Sequence, residues 1–94
     1  MIEQQEKLPQ KLTVADIYCK IKMSEYTLLG DGRTTVCQLT LENGFTVIGT
    51  SACVSKEQYN QALGEKFAYE KAFEEIWQLE GYLLRQRRFE AGLE

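Results

Sequence analysis

Two runs of β-type residues on either side of Asn43-Gly44 fix the middle of this chain. The stretch from Thr34 to Val54, TTVCQLTLENGFTVIGTSACV, carries the strongest short-range signal for a β-hairpin that a sequence can give. Its register follows from the side chains. A two-residue Asn43-Gly44 loop sets Glu42 opposite Phe45 and Thr40 opposite Val47, which mixes polar and apolar residues on one face. A three-residue loop, Glu42-Asn43-Gly44, sets Leu41 opposite Phe45, Leu39 opposite Val47 and Cys37 opposite Gly49. The second arrangement collects Cys37, Leu39, Leu41, Phe45 and Val47 on one face, and Val36, Gln38, Thr40, Thr46, Ile48 and Thr50 on the other. Side chains alternate along a strand, so only this register gives a consistent buried face. The turn it requires is type I, with Gly44 in the left-handed conformation.

The rest of the chain supplies what a hairpin needs in order to be stable. Ser24 to Leu29 is rich in β-type residues and Gly30-Asp31-Gly32 is a turn cluster. Together they predict a three-stranded antiparallel meander over about 24–29, 34–41 and 45–53. Such a sheet needs a cover on its apolar face. The C-terminal segment provides it: Tyr59, Leu63, Phe67, Ala72, Phe73, Ile76 and Trp77 recur at intervals of three and four, with Ala62 and Tyr69 widening the stripe. Ser55, with Gln58 three residues on, is the N-cap candidate. Gly64 falls early in this helix, where a close approach to the sheet would account for it. Gly81 either ends the helix or lies within one that continues. Before the sheet, Thr13 and Asp16 suit a helix start, and Val14, Ile17, Tyr18 and Ile21 predict a short amphipathic helix over about 14–22. The fold class expected is therefore α+β: a short helix, the meander, and a long helix packed on one face of the sheet. Residues 1–10 form an N-terminal arm, 11–88 a single domain and 89–94 a frayed tail.

Ninety-four residues suffice for one domain. No apolar run approaches the ~20 residues of a membrane span, and the first ten residues lack the apolar core of a signal peptide. A cytoplasmic protein is expected. Cys19, Cys37 and Cys53 are odd in number, without CxxC spacing, and read as small buried hydrophobes in a reducing compartment. Histidine is absent, which removes the commonest general base and the usual zinc partner of cysteine. With no nucleophile elbow, phosphate loop or metal-ligand spacing, neither an enzyme nor a cofactor or metal is expected. A net charge of −3 and a sheet face of Thr, Gln, Val and Ile argue against general nucleic-acid binding.

Two binding modes remain. The face formed by Val36, Gln38, Thr40, Thr46, Ile48 and Thr50 is too apolar for solvent alone and suits a protein contact, with a host protein or a second copy. The alternative is a small nucleotide-type ligand held by Ser51, beside the approachable backbone of Gly49, with Arg85, Arg87 and Arg88 on a phosphate.

The words NGFTVIGTSACVS and, about 25 residues on, IWQLEGYLLRQR resemble a family of small tailed-phage proteins named after gene 49 of phage N4 and gene 66 of phage Sf6. The matching positions are Thr35-Val36-Cys37, Leu39-Thr40-Leu41, Asn43 to Val47, Gly49, Ser51 to Val54, Tyr59, Gly64 with Lys66, Ile76-Trp77 and Leu79 to Leu84. Lys56 and Gln78 stand where that family commonly has proline, and without the second proline a helix running unbroken through position 78 is expected. The resemblance spans about residues 13 to 85. It implies a phage or prophage origin and an accessory role in the bacterial host, and it transfers no activity to particular residues.

Overall fold

The computed structural model describes residues 8–93. In chain order it contains α1 (Val14–Tyr18), β1 (Ile21–Leu28), β2 (Thr34–Leu41), β3 (Thr46–Ala52), a single 3-10 turn (Lys56–Gln58) and α2 (Gln61–Glu90). The strands form one antiparallel sheet in the order β1-β2-β3. Both helices lie on one side of it. This is the α+β architecture expected, with a short helix, a meander and a long covering helix.

The hairpin adopts the register that the buried face requires. Leu39 pairs with Val47, and Cys37 with Gly49. The Gly44 amide donates to the Leu41 carbonyl at 2.9 Å, the Leu41 amide donates to the Phe45 carbonyl at 2.8 Å, and Gly44 has φ +90°. Asn43 Oδ1 accepts from the Phe45 amide at 3.0 Å. A type I turn followed by a left-handed glycine is therefore the loop. Thr35, Cys37, Leu39 and Leu41 are buried along β2, as are Val47 and Gly49 on β3. Phe45 departs from the expectation. It points to the same side but is 55% exposed, because it sits at the hairpin tip where the sheet ends.

The covering helix approaches closely through its small residues. Its buried row is Ala68, Ala72 and Ile76, not the row through Leu63 and Phe67, both of which are exposed. The reason lies in the sheet. A Cβ at Gly49 would collide with the Ala68 carbonyl oxygen and the Ala72 amide nitrogen, and would stand 2.9 Å from the Lys71 carbonyl carbon. Strand and helix backbones touch at Gly49, so only alanine fits opposite. Gly64 serves in the same way one turn earlier, where a Cβ would meet Thr35 Oγ1 at 2.6 Å. Tyr69, Phe73 and Trp77 flank this row and pack against the core as a ladder, with ring centroids 5.8 and 6.5 Å apart. Ile17 of α1 completes the core.

Four boundaries differ from those expected. The first helix ends at Tyr18, not Lys22. Its start is as predicted, a capping box in which Thr13 Oγ1 accepts from the Asp16 amide and Asp16 Oδ2 accepts from the Thr13 amide. Ile21 fits the helical spacing but pairs with Leu41, and the Glu42 amide donates to the Lys20 carbonyl at 2.9 Å, so sheet pairing claims the residues after Cys19. The first strand accordingly starts at Ile21. A bulge between Ile21 and Met23 then puts Met23, Glu25 and Thr27 on the outer face, opposite Thr40, Gln38 and Val36. Ser55 precedes only the 3-10 turn and makes no side-chain cap; Asn60 Oδ1 accepts from the Leu63 amide at 3.1 Å and caps α2. Finally, α2 runs unbroken through Gln78 and Gly81 to Glu90. It closes where the Gly92 amide donates to the Phe89 carbonyl and the Leu93 amide to the Arg88 carbonyl, with Gly92 at φ +76°. Residues 89 and 90 thus belong to the helix. Of the expected N-terminal arm, residues 1–7 lie outside the described residues.

Candidate functional site

Among the described residues, nothing covers the outer face of the sheet. Val36, Gln38 and Thr40 of β2 are half-buried by their strand neighbours alone, while Thr46, Ile48 and Thr50 of β3 are exposed, Ile48 at 56%. From β1 come Met23, Glu25 and Thr27, which the bulge turns outward and which a reading of the hairpin alone misses. The six residues singled out in the sequence do share one face. Two open strand edges border it, because among the described residues β1 and β3 each have a neighbour on one side only.

A second exposed apolar surface starts at the hairpin tip. The 30 residues of α2 extend about 45 Å, whereas an eight-residue strand spans about 27 Å. The helix therefore overshoots the sheet, and the molecule measures 58 × 21 × 17 Å. Phe45 and Leu79 line one cleft at the point of departure, and Tyr82 and Phe89 follow along the overhang, at 72% and 62% exposure. The N-terminal segment lies along another side of this overhang, where Leu8, Pro9 and Leu12 face Leu83 and Leu84, and Arg88 Nη1 donates to the Pro9 carbonyl at 2.9 Å.

The residues proposed for a phosphate do not converge. Ser51 lies at the end of β3 beside Phe67, and Arg85 is five turns further along α2, roughly 27 Å away. Arg87 faces the cleft of α1 with Asp16 and Glu80. Nor is the Gly49 backbone open to a ligand, because α2 rests on it. Ser51 instead borders a cavity of about 160 Å³ at the N-terminal end of α2, together with Arg33, Thr35, Tyr59, Gly64 and Phe67. Arg33 and Thr35 escape a linear reading because the sheet, not the sequence, sets them beside Ser51; the Thr35–Ser51 pair in the register is the only trace.

The titratable groups describe a quiet interior. Burial pushes the Cys37 thiol up and keeps it protonated. Burial does the same for the hydroxyls of Tyr26 and Tyr69. Asp31 is lowered, first by the hydrogen bond from the Thr34 hydroxyl at 2.6 Å and then by that from the Arg33 amide. All three cysteines are free, Cys37 buried but Cys19 exposed, contrary to the expectation that all are interior. Among the described residues no group of three or more cysteine or carboxylate side chains could hold a metal ion, and no helix is long and apolar enough to cross a membrane.

The family model of the phage protein (N4 Gp49/phage Sf6 gene 66) family matches residues 12–88. The chain belongs to this family. The match takes in α1, the whole sheet and nearly all of α2, so the family's shared unit is the complete fold described above. No curated protein and no solved structure matches the chain.

Proposed function

We propose that this member of the phage protein family is a non-catalytic accessory protein of the host cytoplasm that acts by protein–protein binding, to a host protein or to a second copy of itself. One observation carries the reading: the outer sheet face centred on Ile48 has no cover from any described element of its own chain. A sheet one helix thick with a half-apolar outer face leaves exposed what a partner would bury. Thr46, Thr50 and Gln38 add hydrogen-bonding groups between the apolar residues, a mixture typical of surfaces that exist both free and bound. The chemistry inside the fold supports the same conclusion. Its buried thiol is held protonated, and the chain has no histidine.

The test is Ile48→Lys, which puts a charge in the centre of the face without touching the core. Sedimentation of the wild-type protein, alone and with its co-purifying host polypeptide, should show association that the variant loses, with circular dichroism and Tm unchanged. Equal association in the variant would refute the assignment of this face.

A further inference from the structure

The cavity at the N-terminal end of α2 differs from the other clefts in charge. Among the described residues on its wall, Arg33 alone carries one, in a chain with 14 acidic and 11 basic residues. The cleft beside α1 balances Asp16 and Glu80 against Lys20 and Arg87, that beside the hairpin holds Glu75, and that along β3 sets Glu70 and Glu74 against Lys71. The cavity is therefore net positive where these clefts are balanced or net negative, and the amide end of a 30-residue helix adds to its sign. A buried hydroxyl supplies the second, independent feature. Thr35 is 2% exposed, lines this cavity beside Gly64, and its Oγ1 has no hydrogen-bond partner. A hydroxyl in that position is unfavourable unless something bonds it, and no described residue of the chain does.

We infer that this cavity binds the phosphate group of a small phosphorylated molecule. Arg33 supplies the charge: its Nη1 makes one 3.3 Å bond to the Cys53 carbonyl, which leaves the rest of the guanidinium fork for an anion. Thr35 and Ser51, paired across β2 and β3, donate from their hydroxyls. Phosphate suits this set better than carboxylate, because its three terminal oxygens point in different directions toward a guanidinium and two hydroxyls, whereas a carboxylate's two oxygens lie in one plane. The volume of about 160 Å³ takes a phosphate and little more, well below the ~300 Å³ at which pockets enclose whole ligands. The organic part then lies at the mouth, against the exposed ring of Phe67.

Phenyl phosphate is the probe, followed by amide NMR of the full chain at fixed ionic strength. Saturable shifts centred on Thr35, Ser51 and Gly64 are expected. Arg33→Ala should weaken binding at least tenfold, whereas Arg87→Ala, at the far end of α2, should leave it unchanged. Thr35→Val removes the unpartnered hydroxyl and keeps the shape, so it should raise Tm and yet weaken binding at least fivefold. A hydroxyl with a merely structural role would not do both, and this variant decides the matter should Arg33→Ala fail to fold. Absence of a saturable shift, binding of benzoate as tight as that of phenyl phosphate, or wild-type affinity in Thr35→Val would overturn the site.

Discussion

Glycine positions show how narrowly single residues hold this fold, and for two different reasons. At Gly49 the constraint is space, since the α2 backbone occupies the volume a side chain would need. Gly49→Ala should therefore cost about 3 kcal/mol, through forced separation of strand and helix. At Gly44 there is open space around the Cβ position but φ is +90°. Gly44→Val should cost only roughly 1–2 kcal/mol, as conformational strain. Urea denaturation of the two variants checks the order, and a silent Gly44→Val would contradict the turn. Asp31 gives the residue-scale dependence on pH. Its carboxylate accepts from the Arg33 and Thr34 amides and the Thr34 hydroxyl, and its pKa is lowered in the fold. A lowered acid stabilises fully above its unfolded value near ~4 and loses that contribution as pH falls through the folded value. Amide exchange at Thr34 should thus accelerate in that acid range, and Asp31→Asn should abolish the dependence.

Among the elements, hairpin register and helix boundaries were legible to different degrees. The register was readable because alternation allows one solution that buries Leu39 with Val47. Boundaries were less so, because they depend on contacts distant in sequence. Ile21 satisfies a helical period and a strand pairing equally, and its pairing with Leu41 decides. Ser55 has the composition of a cap, but the chain inserts a 3-10 turn first, so Asn60 takes the role. Asn60→Ala should cost about 1 kcal/mol and Ser55→Ala no more than a few tenths, measured by thermal unfolding. The inverse result would restore Ser55 as the helix start. Because α2 passes straight through Gly81 with nothing within 4 Å of a Cβ there, Gly81→Ala should stabilise by up to about 1 kcal/mol.

Across the whole molecule, cover is confined to one face of two strands. There α2 lies so close over β2 and β3 that glycine and alanine are the fits, whereas Tyr26 and Leu28 of β1 on the same side stay exposed and the other face is open. The open face was legible, since Val36, Gln38, Thr40, Thr46, Ile48 and Thr50 follow from alternation alone. The contribution of β1 was not, because a bulge resets its alternation at Lys22. Nor was the separation of Ser51 from the arginines, which only an unbroken α2 determines. The overhang of that helix, with Leu79, Tyr82 and Phe89 exposed, leaves further apolar surface beyond the sheet. Both surfaces lead to the same expectation, that the working form is an assembly. A native mass spectrum of the protein purified gently from infected cells tests this most directly. A mass of two chains, or of one chain with a single host polypeptide, is the predicted result; a monomer at every concentration, with or without a small ligand, would contradict it.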